Sequence, residues 1–216
     1  MTGHRSPYAD RAEAGAVLAT LLEPLARNSD PAVLALPRGG VPVAAPIAQA
    51  LSAPLGVVVV RKIGVPGHRE LAMGALAVVG EQIELIRNES VIRSTGVSAE
   101  TFERAAQHER DELRRRSDLF ALAPTPLRGR LAILVDDGLA TGSTMLAAVR
   151  ALRRSSPAKI VVAVPLAGVA AIALLETVAE QVVCPWVPRQ FAAVGQGYLD
   201  FGQVSEDEVR RLLTAG

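Results

Sequence analysis

Cysteine occurs once, at Cys184. A disulfide scaffold is therefore excluded, and a reducing cytoplasm is the expected setting. Aromatic residues make up only 3% of the chain, so a core must be built from aliphatic side chains. No charge sign dominates: 23 Lys and Arg stand against 22 Asp and Glu, a formal net charge of +1. That balance gives no reason to expect nucleic acid as a partner. A membrane span is not expected either. The uncharged run Ile160 to Leu175 is shorter than the roughly 20 residues a span needs, and Pro165 and Gly168 divide it. It reads better as a buried strand, Ile160 to Val164, a turn and an apolar helix. Met1 to Arg11 is polar, with no secretory pattern. His4, His68 and His108 are scattered without metal-ligand spacing. Internal repeats and low-complexity linkers are missing.

What the chain does have is apolar: half of its 216 residues are hydrophobic, enough to bury one sizeable core. The spacing predicts helices over Arg11 to Leu22, Pro42 to Leu51, Ser98 to Leu119, Met145 to Arg154 and Ser205 to Leu213. Ser98 and Ser205 are the expected caps. Strands are expected at Ala32 to Leu36, Val57 to Val60, Leu131 to Val135, Ile160 to Val164 and Gln181 to Val183. Lys62 to Glu70 contains Gly64, Pro66 and Gly67 and reads as a loop; Met73 to Val79 and Gln82 to Ile86 read as a hairpin across Gly80-Glu81. Arg114-Arg115-Arg116 reads as a solvated helix face. Strands alternating with helices predict an α/β fold, with a central parallel sheet and helices on both faces. Ligands of such sheets sit beyond the carboxyl ends of the strands, where Arg38, Lys62 and Asp136 all fall.

The richest segment is Leu134 to Thr144, Leu-Val-Asp-Asp-Gly-Leu-Ala-Thr-Gly-Ser-Thr. An apolar strand ends in two carboxylates, and a loop of small and hydroxyl residues leads into a helix. Backbone N–H groups at such a helix start favour an anion. Gly138 and Gly142 allow close approach, and Thr141, Ser143 and Thr144 add hydroxyls. The loop suits a phosphate. Asp136 and Asp137 suit what that phosphate carries, either hydroxyls or a metal. A nucleoside triphosphate loop would need a lysine after Gly142, and none is there. The dinucleotide fingerprint is missing too.

Asp136 to Thr144 resembles the signature of type I phosphoribosyltransferases, which use 5-phosphoribosyl-1-pyrophosphate (PRPP). Val33 to Val43, Val-Leu-Ala-Leu-Pro-Arg-Gly-Gly-Val-Pro-Val, resembles that family's pyrophosphate loop. Val57 to Lys62 resembles its next strand, whose basic end faces the pyrophosphate. The three segments occur in the family's order. The chain as a whole most resembles bacterial stand-alone phosphoribosyltransferase-domain proteins whose acceptor is generally unassigned.

The resemblance implies one domain: a core at about 12–62 and 127–185, a flexible loop, hairpin and helical insertion at about 63–126, and a hood at about 186–216. It implies that Gly138, Leu139, Ala140, Thr141, Gly142, Ser143 and Thr144 hold the 5-phosphate. Asp136 and Asp137 would take the ribose hydroxyls. Arg38, Gly39, Gly40, Arg61 and Lys62 would take the pyrophosphate, with Lys62 adding charge as it departs. Mg²⁺ would bind chiefly through PRPP, with Asp136 and Asp137 near it or through water. The lid would be Gly64 to Ile86, with Glu70 or His68 as the acceptor's base. The family often has a non-proline cis peptide in the pyrophosphate loop, and a homodimer is implied.

The expected acceptor is a nitrogenous base. The strand ending and Pro46 to Leu51 look most like the adenine-using branch. The 6-oxopurine branch usually has an aspartate where Ala140 stands, and a lysine near Pro165 and Leu166. The tail from Phe191 to Phe201 nonetheless faintly resembles the 6-oxopurine hood, where Phe191 could stack on a base; Trp186 and Tyr198 are equally open to that role. A non-catalytic PRPP or nucleotide sensor on the same fold is the alternative. A phosphoester hydrolase using the acid pair has little support, because Asp-x-Asp spacing is absent.

Overall fold

The computed structural model describes residues 7–79, 82–117 and 125–214. Its elements run α1 (Arg11–Ala26), β1 (Pro31–Ala35), α2 (Gly40–Leu51), β2 (Leu55–Val65), β3 (His68–Val79), β4 (Gln82–Arg87), α3 (Glu89–Thr95), α4 (Ala99–Ser117), β5 (Leu131–Val135), α5 (Ser143–Leu152), β6 (Lys159–Ala163), α6 (Val169–Leu175), β7 (Gln181–Val183) and α7 (Glu206–Thr214). One seven-stranded sheet takes the order β4-β3-β2-β1-β5-β6-β7. The five strands β2-β1-β5-β6-β7 are parallel, and β3 and β4 add an antiparallel arm.

Alternation along the strands builds two apolar layers. Leu131, Ile133 and Val135 face a core shared with α1, α2, α4 and α7; Ala132 and Leu134 face a second core under α5 and α6. All five residues of β5 are buried, as expected of a strand covered on both sides. The expected caps are present. Ser98 Oγ accepts from Thr101 N at 3.2 Å, and Ser205 Oγ from Glu208 N at 3.1 Å. Asp10 caps α1 by accepting from Glu13 N at 2.8 Å. The run Ile160 to Leu175 divides into β6, a turn and α6, as anticipated. Among the described residues no helix is long and apolar enough to cross a membrane.

The expected loop Lys62 to Glu70 is instead strand. β2 continues to Val65, β3 begins at His68, and the two pair through Lys62↔Ala75 and Val65↔His68. Only Pro66 and Gly67 turn, with Gly67 at φ +80°, the Pro-Gly order a type II turn favours. Gly64 sits between two shifts of register, opposite Ala72; a glycine there marks an irregular pairing, not a break. The two strands and β4 form a long arm that α4 packs against. Side chains at Arg114, Arg115 and Arg116 lie outside the described residues.

Candidate active site

β1 and β5 are neighbours in register, Ala35 opposite Val135, so the segments that follow them emerge side by side. Leu36 N donates to Val135 O at 2.9 Å, and Gly40 N donates to Leu36 O at 3.0 Å. The Pro37–Arg38 peptide is cis. The chain then turns straight into α2. Two glycines permit this contact. A Cβ on Gly39 would lie 2.1 Å from Asp137 Oδ2, and one on Gly40 would lie 2.7 Å from Val135 O and 3.0 Å from Asp136 Cα. The basic glycine loop is thus pressed directly on the acid pair. Arg38 itself is exposed.

Each acid has one oxygen committed. Asp136 Oδ1 accepts from Asp137 N at 2.9 Å. Asp137 Oδ2 accepts from Arg11 Nε at 2.9 Å. No other residue's donor reaches the second oxygen of either acid among the described residues. Burial, and then the adjacent Asp137 charge, push the Asp136 carboxyl well above the ordinary carboxylate range. Burial also raises Asp137, against the lowering effect of the Arg11 hydrogen bond and charge. Two acids held this way, each with a free oxygen at the strand tips, can accept from vicinal hydroxyls or share a hard cation.

The loop beyond them opens onto α5. Leu139 N donates to Leu166 O at 3.0 Å, and Gly168 N donates to Leu139 O at 3.1 Å, tying the buried Leu139 into the sheet's edge. The hood covers Gly138, where a Cβ would come within 2.6 Å of Val194 Cγ1. Ala140 and Thr141 are exposed. Gly142 caps α5 at φ +72°, a left-handed conformation that glycine adopts without penalty. Thr141 Oγ1 and Ser143 Oγ are 3.0 Å apart, and Thr144 follows in the first turn. Ser143 N donates to Thr141 Oγ1 at 3.4 Å, and Gly142 gives this ten-residue helix no side-chain cap.

The strand alternation of β2 separates two residues that looked like a pair. Lys62 is exposed and, with Ser143 and Arg150, lines a cavity of about 280 Å³ between the arm and α5. Arg61 projects from the opposite face, where its Nη2 lies 2.7 Å from Glu109 Oε2 of α4. There it lines a cavity of about 510 Å³ with His108, a cavity that Lys62 also borders. His68 is exposed at the arm's turn. Glu70 has its backbone in β3, and its side chain lies outside the described residues. Phe191 is half-buried and packs in the hood cluster with Tyr8, Leu166, Trp186, Val194 and Tyr198. It lies beside Gly168, whose Cβ would be 3.8 Å from the Phe191 ring and 3.5 Å from Ala140 O. No group of three His, Cys, Asp or Glu that could hold a metal occurs among the described residues.

Sequence reasoning missed Arg11. Its guanidinium lies over the Phe201 ring, 4.0 Å from the centroid, and Nη1 donates to Gly202 O at 2.9 Å. Phe201 stacks on Tyr198 at 5.1 Å, and the Tyr198 hydroxyl donates to Asp137 O at 2.5 Å. No spacing rule links Arg11 to an acid 126 positions away. The one signal was the aromatic tail Tyr198 to Phe201.

Comparison with known proteins agrees with this architecture. Two Mycobacterium tuberculosis proteins, from strains CDC 1551 / Oshkosh and H37Rv, bear names containing the words phosphoribosyl transferase. Each is 44% identical over 204 residues, 94% of this chain. The chain spans 45% of those relatives' length. The crystal structure of TT1426 from Thermus thermophilus superposes with a TM-score of 0.86 at 42% identity, over 97% of this chain and 98% of that one. The family model described as "Phosphoribosyl transferase domain" matches residues 8–186, so the chain belongs to the phosphoribosyl transferase domain family.

Proposed function

We propose that the chain transfers ribose 5-phosphate from PRPP to a nitrogenous acceptor, a heterocyclic base, and releases pyrophosphate. The observation that carries this reading is the contact of Gly39 and Gly40 with Asp136 and Asp137 at adjoining strand tips, beside the open start of α5. That arrangement suits a ligand with anions at both ends and hydroxyls between. The 5-phosphate takes the loop Gly138 to Thr144 and its helix dipole. The ribose hydroxyls donate to the open oxygens of Asp136 and Asp137. The pyrophosphate takes the backbone N–H groups at Gly39 and Gly40 and the Arg38 side chain. Lys62 reaches the donor from the arm, on the α5 side. Arg61 contributes only if it leaves Glu109.

The acceptor nitrogen forms a bond to ribose C1 as the C1–oxygen bond breaks and pyrophosphate leaves with the electron pair. Positive charge develops on the sugar and negative charge on the leaving group, so fixed charges at those places supply the catalysis. The arm carries two candidate bases, Glu70 and His68, for the proton that nitrogen loses. Mg²⁺ fits the donor set. Two carboxylates with open oxygens suit a hard cation that takes most ligands from substrate phosphates and water. Bound there, it would neutralise charge on the pyrophosphate. Phe191, beside Ala140 and Gly168, is placed to flank a flat base. Ala140 has no side-chain proton acceptor, which disfavours 6-oxopurines. Homodimeric assembly accompanies this reading by family resemblance, and the single cysteine, Cys184, favours a reducing, cytoplasmic setting.

The test is incubation with Mg²⁺, PRPP and a panel of nucleobases while pyrophosphate is followed. Base-dependent release supports transfer. PRPP binding with no turnover on any base shifts the reading to a sensor, and no PRPP binding at all removes it.

A further inference from the structure

We infer that Arg11 is a positioning residue for the donor's ribose: it clamps the Asp137 carboxylate so that the remaining oxygen is held for a sugar hydroxyl. The inference rests on the donor reading above. Three observations converge on it. Arg11 is itself fixed at three points, by Asp137 Oδ2 at 2.9 Å, by Gly202 O at 2.9 Å and by the Phe201 ring 4.0 Å from its centroid. Arg11 and Asp137 are both largely buried, with side-chain exposures of 12% and 15%. Asp137 is also held at its backbone by the Tyr198 hydroxyl, whose ring stacks on Phe201. One connected cluster therefore grips the residue at both its carboxylate and its carbonyl. Gly39 packs against the same oxygen that Arg11 holds: a Cβ there would lie 2.1 Å from Asp137 Oδ2 but 3.2 Å from Oδ1.

A carboxylate free to rotate would lose orientational freedom on binding a hydroxyl, and that loss weakens binding. A carboxylate already locked does not. Arg11 also joins the start of α1 to the hood through Gly202 O and to the site through Asp137. The competing interpretation is that Arg11 simply ties α1 to the hood. That role would weaken every ligand alike. The positioning role weakens only ligands that use the ribose hydroxyls.

Calorimetry with Mg²⁺ and three probes separates the two: ribose 5-phosphate, 2-deoxyribose 5-phosphate and inorganic pyrophosphate. The unaltered protein is expected to favour ribose 5-phosphate over its 2-deoxy form by about tenfold, the worth of one hydrogen bond to a charged group. In Arg11→Gln that preference falls to about twofold while pyrophosphate affinity stays within about twofold of the parent. Arg11→Lys retains part of the preference, because it restores charge without the fork. A preference unchanged in Arg11→Gln, or an equal loss for all three probes, overturns the proposal while leaving the donor reading intact. If the unaltered protein binds neither sugar phosphate, the donor reading fails and this one fails with it. Should Arg11→Gln not fold, Phe201→Leu removes the ring beneath the guanidinium, and the same two outcomes decide.

Discussion

Gly39→Ala is the most direct probe of the contact between the two motif loops. The new methyl carbon would lie 2.1 Å from Asp137 Oδ2, more than 1 Å inside an ordinary contact of 3.4 Å, and 2.6 Å from its Cγ. Something must move. If the 38–40 loop is displaced, overpacking costs about 1–3 kcal/mol. If Asp137 turns away instead, it loses a charge-assisted bond to Arg11 worth about 1.5–3 kcal/mol. Both routes lead to similar losses, and for a chain of this size they lower Tm by roughly 2–12 °C. The effect on the donor is larger. A misplacement of about 1 Å in a positioned group costs up to about 100-fold, so PRPP affinity measured calorimetrically with Mg²⁺ should fall between about 10- and 100-fold. Gly129→Ala is the control. Gly129 sits at φ +74° with nothing near its missing Cβ, just before the start of β5 and at the opposite end of that strand from the acids. The left-handed penalty of about 1–2 kcal/mol should lower its Tm comparably without changing PRPP affinity. A Gly39→Ala protein that binds PRPP as tightly as the parent would show that the two loops do not build one site.

Asp137→Asn should keep the shape of the site while removing the charge that Arg11 and a ribose hydroxyl share. PRPP affinity should drop by about 10–100-fold with unchanged circular dichroism, and unchanged affinity removes Asp137 from the ribose. Asp136→Asn should stabilise the fold at neutral pH. Its folded carboxyl lies above the ordinary value of 3.8, so its contribution is complete below that value and is lost as pH rises through the raised one. The variant's Tm advantage should therefore widen from about pH 4 upward, and a variant less stable than the parent at pH 8 contradicts the burial cost. Burial pushes the Cys184 thiol up to about 12 against an ordinary 9.0. Alkylation of the folded protein at pH 8 should then run about a thousandfold slower than that of the unfolded chain, and equal rates would place the thiol in solvent.

The parallel core was legible because β1, β5 and β6 are short apolar runs set between turn or polar residues. Leu131 to Val135 stops at two aspartates, and the structure ends β5 at Val135. The β3–β4 part of the arm was legible as a hairpin, but its junction with β2 was not, because Gly64, Pro66 and Gly67 all signal a turn and only two of the three make one. What extends β2 to Val65 is pairing with β3 and packing under Phe102 and Leu113 of α4, both tertiary contacts. The same error hid the parting of Arg61 and Lys62. As the rim of a loop the two cations could converge on one ligand. As consecutive strand residues they must face opposite sides of the sheet, and the structure turns one to Glu109 and the other toward Ser143.

The acid pair was legible as chemistry, yet its setting was not, and the two facts have one cause. Adjacent carboxylates at a buried strand tip repel each other and lose water, so local preference argues against them there. A fold optimised only for stability would replace at least one, and their presence marks a place where binding outweighs stability. What makes the place tolerable is supplied from far away. Arg11 brings a charge from the first helix, Phe201 holds that guanidinium from the hood, Tyr198 holds the Asp137 backbone, and Gly39 makes room for the carboxylate beside α2. Local patterns reveal the residues that pay in stability; only the folded chain reveals the neighbours that compensate them.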